Sequence, residues 1–139
     1  MKSMSENGFS GYILRITTKE WVEQVYDRVK YYVGIRRKWK PGQIILFAHK
    51  TRKGDAFIGY GVINVFQPLE ELTEKEKAEC EKWGWYGALD FKYVKKFKEP
   101  VLIKETILKD FRLKGRLVHG FGLNSEQIES ILSQAGESI

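Results

Sequence analysis

An α+β fold on a curved mixed sheet or pseudo-barrel of about five to six strands, flanked by short helices, is the class that this 139-residue chain predicts. Three observations carry that expectation. Several segments alternate or run apolar over strand lengths, and others place apolar residues at helical spacing. The two kinds do not alternate in the βαβ rhythm of a parallel sheet. The length fits one domain with a core large enough to fold alone, expected over 11–139 behind a flexible leader at 1–10.

The elements follow in order. GYILRITT (11–18) alternates, with Tyr12, Leu14 and Ile16 on one face, and predicts a strand. Thr18 offers an N-cap hydroxyl to a helix over about 19–31, whose apolar stripe is Trp21, Val22, Val25, Tyr26 and Val29. Gly34 ends that element and Pro41-Gly42 makes a turn. QIILFAHK (43–50) is a strand whose unbroken apolar run predicts burial on both faces. TRKGD (51–55) is a hairpin turn with Gly54 available for positive φ, and AFIGYGVINVF (56–66) is the return strand. Gly59 and Gly61 share one face of it and admit a close neighbour there.

Pro68 closes that strand. TEKEKAECEKWG (73–84) reads as a short acidic helix capped by Thr73 and stopped by Gly84. ALDFKYVKKF (88–97) is a third long strand, with Leu89, Phe91 and Tyr93 opposite Asp90, Lys92 and Val94, and Pro100 is expected to break it. A helical turn or two over 104–113 and a short strand over 116–122 precede a C-terminal helix within 124–136. Ser125 would cap that helix, and Leu123, Ile128, Ile131 and Leu132 would dock it.

At 42% hydrophobic and 30% charged the composition is that of a globular protein, and no apolar run reaches the roughly 20 residues of a membrane span. The N-terminal stretch has no apolar core of a secretory signal. One cysteine, Cys80, excludes an intramolecular disulfide, so a cytoplasmic location is expected. Lys and Arg total 24 against 18 Asp and Glu, a net charge of +6. The charge is segregated: Arg36, Arg37, Lys38, Lys40, Lys50, Arg52 and Lys53 lie together, and the acids gather over 70–81. A polyanionic partner fits that pattern.

Candidate chemistry is sparse. Two histidines and one cysteine without close spacing speak against a metal site, and no cofactor motif is present. His49 ends a buried strand, where a satisfied core histidine is usual. Cys80 sits among Glu76, Glu79 and Glu81, which oppose thiolate formation. Gly59-Tyr60-Gly61 lies inside a strand and opens no helix, so it is no dinucleotide fingerprint. The run Arg36–Lys40 suits phosphate contacts, and Trp39 within it either stacks on a base or packs onto the sheet. Trp83, Trp85 and Tyr86 either wall a base-binding cage or cover one end of the sheet. Trp21 belongs to the core by its stripe.

The order of these elements resembles the PUA-like superfamily, and within it EVE domains, with ASCH and YTH domains as more distant relatives. The likeness spans about 11–133. Ile16-Thr17-Thr18-Lys19-Glu20-Trp21 is similar to a strand ending in Thr-Asn followed by Trp, and Tyr32-Val33-Gly34-Ile35 sits where EVE domains carry Trp-Gly-Val. Lys40-Pro41-Gly42-Gln43 resembles their Lys-Pro-Gly-Asp turn, and Phe57-Ile58-Gly59 their Ile-Val-Gly strand. Gly115 to Phe121 resembles the segment before the closing helix. Val33, Thr18 and Gln43 depart from the Trp, Asn and Asp of that pattern.

The resemblance implies a concave pocket between the first strand, its helix and the following loop, in which RNA or a modified base stacks on aromatic rings. The expected function is a non-catalytic nucleic-acid-binding module. Its pocket would hold Thr17, Thr18, Tyr32, Trp39, Trp85 and His119. Arg36, Arg37, Lys38, Lys40 and Arg116 would meet phosphates. A nucleoside- or nucleotide-directed hydrolase of ASCH type, for which Lys30, Asp90 and Lys92 are available, and a protein-interaction module using the acidic helix are the alternatives.

Overall fold

The computed structural model describes residues 9–111 and 117–137. Arg116, and the parts of the expected 104–113 and 116–122 segments that fall in 112–116, lie outside the described residues. Six strands form one sheet: β1 (Gly11–Arg15), β2 (Lys30–Val33), β3 (Ile44–Thr51), β4 (Gly54–Pro68), β5 (Gly87–Leu102) and β6 (Gly122–Leu123). Their order is β2-β5-β4-β3-β1-β6. Only β1 and β3 run parallel. The sheet is therefore mixed and curved, and among the described residues no ladder closes β2 onto β6. Helices α1 (Lys19–Arg28), α2 (Glu74–Trp83) and α3 (Ser125–Gln134) flank it.

The unbroken apolar run of β3 is buried on both faces, as its sequence predicts. Ile44, Leu46 and Ala48 join Ile13, Phe57 and the docking residues Ile128, Ile131 and Leu132 of α3. Ile45 and Phe47 turn the other way, towards Tyr12, Leu14, Ile16 and Val25 beneath α1. Gly59 gives α1 its close approach, since any Cβ there would collide with the Tyr26 hydroxyl, which donates to the Ile58 carbonyl at 3.1 Å. Helix α2 carries the expected Thr73 cap, completed into a capping box by Glu76, and ends at Gly84 in the left-handed conformation.

Four expectations are corrected. Helix α1 stops at Arg28, not near 31, because Val29 adopts φ 57° and turns the chain directly into β2. A β-branched residue there costs about 1–2 kcal/mol, offset by the pairing of Lys30–Val33 with Asp90–Gly87 of β5. Pro100 does not end β5: it falls in the register break between Lys96 and Val101, where the ladder needs no N–H. A second break, between the pairs Ile63–Phe91 and Val62–Tyr93, reverses the alternation of β5. Tyr93 is consequently 45% exposed and packs edge-on against Tyr60, while Val94 joins the face of Leu89 and Phe91.

The fourth concerns the region before α3, where 117–120 is a helical turn and the strand is only Gly122–Leu123. Asn124, not Ser125, caps α3, its side chain accepting from Gln127 N–H at 2.8 Å. At the other terminus, Ser10 already bonds to Leu123 and Ile44 through its backbone, one residue before the expected boundary.

Candidate functional site

The left-handed turn at Val29 has a consequence for chemistry, because it makes an edge strand out of Tyr31 and Tyr32. That strand faces α2, and three polar side chains lock the two together. The Tyr32 hydroxyl donates to Glu76 Oε2 at 2.7 Å and Lys30 Nζ meets the same oxygen at 2.9 Å. Burial alone would push the Glu76 carboxyl up. The Thr73 N–H, Lys30 and Tyr32 outweigh it and hold Glu76 at about 2. Burial, reinforced by that carboxylate, raises Tyr32 to about 12.

With its hydroxyl fixed, the Tyr32 ring stacks on Trp85 (centroids 5.4 Å apart, 12° between planes), and Trp85 stacks on Trp83 (5.9 Å, 20°). Trp21, from the first turn of α1, meets both indoles edge-on at 5.4 and 5.7 Å. The Trp83 indole N–H donates to Glu79 at 3.1 Å. Trp83 remains 49% exposed, so the stack opens to solvent.

These rings wall a cavity of about 520 Å³ that Tyr31, Gly34, Ile35, Arg15, Thr17 and His119 complete. Arg15 leaves the end of β1 and is held from the β4 side by Asp55, through Nε at 3.1 Å and Nη2 at 3.2 Å. Its backbone N–H donates to His119 Nδ1 at 3.0 Å. Burial, then the charges of Arg37 and Arg15, push His119 below its ordinary pKa. The imidazole is therefore neutral at pH 7 and, with Nδ1 accepting, carries its proton on Nε2. Burial raises Tyr31 to about 12, and its hydroxyl has no hydrogen-bond partner among the described residues.

The basic run lies apart from this wall. Arg36, Arg37 and Lys38 border a second concavity of about 470 Å³ with Phe9 and Tyr12. The Arg36 guanidinium sits 4.2 Å from the centre of the Tyr86 ring. Arg37 Nε donates to the Gly120 carbonyl at 2.8 Å, packed over a glycine whose φ of 84° and missing Cβ leave it room. The Lys40 backbone N–H donates to Gln43 Oε1 at 2.8 Å. A third hollow of about 610 Å³ shares His119 with the aromatic cavity and Phe9 and Arg37 with the basic one, so the three adjoin through these side chains in one row, the trough.

Of the residues singled out in the sequence, Thr17, Tyr32, Trp85 and His119 meet in the aromatic cavity. Thr18 does not line it: its hydroxyl caps α1, accepting from Trp21 N–H at 3.1 Å. Nor does Trp39. Its ring packs edge-on against Tyr12 (5.1 Å), and its indole N–H donates to the Tyr86 hydroxyl at 2.7 Å. Trp21, assigned to the core by its stripe, does line the cavity, and Trp83 joins it. Arg15 was missed, since a lone arginine at the end of a strand carries no signal of its own. Lys30 and Asp90 are engaged with Glu76 and Asn64. His49 Nδ1 lies 2.6 Å from the Ile16 carbonyl, and burial, with Glu76 and Glu79, raises the Cys80 thiol. Among the described residues no cluster of three His, Cys, Asp or Glu could hold a metal ion, and no helix is long and apolar enough to cross a membrane.

No protein-family model matches the chain, and no curated protein does. Solved structures do resemble it. The crystal structure of ASCH from Zymomonas mobilis superposes with a TM-score of 0.60 at 13% identity, covering 87% of this chain and 92% of that one. A tyrosine-to-phenylalanine variant of the same protein gives 0.60 at 14% identity over 87% and 95%. A serine-to-alanine variant gives 0.60 at 13% identity over 91% and 98%. At such identities the likeness speaks for the fold. The expected α+β mixed sheet is the fold of these ASCH structures, while the EVE-type motifs rest on sequence alone.

Proposed function

We propose that the protein is a non-catalytic binding module for single-stranded RNA or a modified nucleobase. The carrying observation is the cavity walled by Tyr32, Trp85, Trp83 and Trp21, open at Trp83 and adjoining, through His119 and Arg37, the hollow edged by Arg37, Arg36 and Lys38. The half-exposed Trp83 at the end of the stack offers a π face to a base, and the basic edge suits the phosphates that follow it. The architecture shared with ASCH domains supports the same reading. So does His119, whose proton-accepting nitrogen is occupied by the Arg15 N–H and is thereby withdrawn from general-base duty. The free thiol of Cys80 suits a reducing cytoplasm.

Titration of the protein with short single-stranded RNA, followed by tryptophan fluorescence across a salt series, tests this. Quenching with an affinity that falls as salt rises is expected. Indoles that stay inert while no RNA binds would refute it.

A further inference from the structure

The aromatic wall by itself does not choose a ligand. Rings at these distances accept the face of any base, and they would equally accept an organic cation. The choice falls to the polar groups that share the cavity. Among the described residues no carboxylate and no carboxamide side chain lines it, so a cation finds no counter-charge among them. The opposite is present. Arg15 has Nε and Nη2 committed to Asp55, which fixes the plane of the guanidinium and leaves Nη1 without a partner among the described residues. His119, pinned at Nδ1, presents an Nε2–H. The hydroxyls of Thr17 and Tyr31 can act either way, and the Tyr32 hydroxyl is spent on Glu76. The fixed polar groups of the cavity are therefore donors.

Resting on the base-binding reading above, we propose that this cavity selects keto bases over amino bases, with Arg15 and His119 donating to the exocyclic carbonyl of a uracil- or guanine-type ring stacked on the aromatic wall. A carbonyl oxygen there accepts two N–H groups that would otherwise stay unpaired. The amino group of cytosine or adenine at the same position sets donor against donor. That leaves both sides desolvated and unsatisfied, which is where recognition sites reject most strongly. Asp55 is a positioning residue in this scheme: it holds Arg15 from outside the cavity and touches no ligand.

The test uses the full chain and matched single-stranded RNA pairs that differ only in that group: oligouridylate against oligocytidylate, and oligoinosinate against oligoadenylate, with an abasic strand as baseline. Tryptophan quenching should show the keto member of each pair binding roughly tenfold or more tighter, the discrimination one good donor pair supplies. Arg15→Lys keeps the charge but loses the fork, and should bring the uridylate-to-cytidylate ratio towards one. Equal binding of both pairs, or preference for the amino members, would overturn the selection while the stacking site stands. If no strand binds better than the abasic one, the base-binding reading itself fails. The wild-type comparison decides without any variant, so misfolding of Arg15→Lys would not shield the proposal.

Discussion

Two tryptophan-bearing regions of the molecule behave in opposite ways. Trp39 sits in the middle of a basic run, where sequence makes it look like a ligand contact. The fold turns it inward, edge-on to Tyr12 and hydrogen-bonded to Tyr86. Trp83 and Trp85 follow an acidic helix, an unpromising neighbourhood for a nucleic acid, yet they stack outward with Tyr32 into an open wall. Local charge thus says little about an aromatic residue's task. What decides is whether the ring is covered by its neighbours: Trp39 packs against the core beneath α1, whereas Trp83 stays 49% exposed.

The sharpest way to break that contrast is to truncate one tryptophan from each region. Trp39→Ala should destabilise the fold by about 3 kcal/mol, since it empties a site packed against the α1 face of the core and leaves the Tyr86 hydroxyl without its donor. RNA affinity of the fraction that still folds should stay close to wild type. Trp83→Ala should do the reverse, costing about 1–3 kcal/mol of binding per stacked base and under about 1 kcal/mol of stability, because half of the ring is already in water. Urea denaturation and fluorescence titration on both variants give the two axes. A Trp39 variant that loses binding but keeps its midpoint would reverse the assignment.

How legible was this in the sequence? Elements governed by local rules were plain. Helix α2 is bracketed by the Thr73 capping box and Gly84, and the β3–β4 hairpin is announced by an apolar run, a Gly54 turn and an apolar return. What failed depended on distant partners. The valine stripe of α1 points past Val29, and only the vacant edge of β5 explains why the chain turns there instead. The cavity shows the same limit. Trp83, Trp85 and Tyr32 could be flagged by type, but Arg15 gains meaning only from Asp55, 40 residues away, and from His119, 104 residues away.

The aromatic end also carries a pH signature. Glu76 anchors Tyr32, and its folded pKa of about 2 lies below the ordinary carboxylate value of 4.5. A depressed carboxylate contributes stability that is complete above about pH 4.5 and is lost as pH falls through about 2. Glu76→Gln should therefore cost about 2 kcal/mol at pH 7, and its deficit should shrink progressively towards pH 2. A deficit that is flat from pH 7 to pH 2.5 would mean that Glu76 acts through packing alone. The same variant frees the Tyr32 hydroxyl, so base stacking should weaken in parallel with the loss of stability.

The smallest effect is expected at the basic end, and there the three charges are not equivalent. Arg36 lies over Tyr86, and Arg37 is tied to the Gly120 and Arg36 carbonyls, so removing either disturbs packing as well as charge. Lys38 is different. Its carbonyl accepts from Gln43 Nε2 at 3.2 Å, a bond that alanine preserves, and its side chain is exposed at the edge of the trough. Lys38→Ala should leave stability unchanged and shallow the salt dependence of single-stranded RNA binding by about 0.7 in the log–log slope, the share of one phosphate contact. Because a phosphate contact carries no base information, the keto-to-amino preference should survive intact. A slope identical to wild type would remove Lys38 from the RNA path. A changed base preference would show instead that the two ends of the trough are not separate readers.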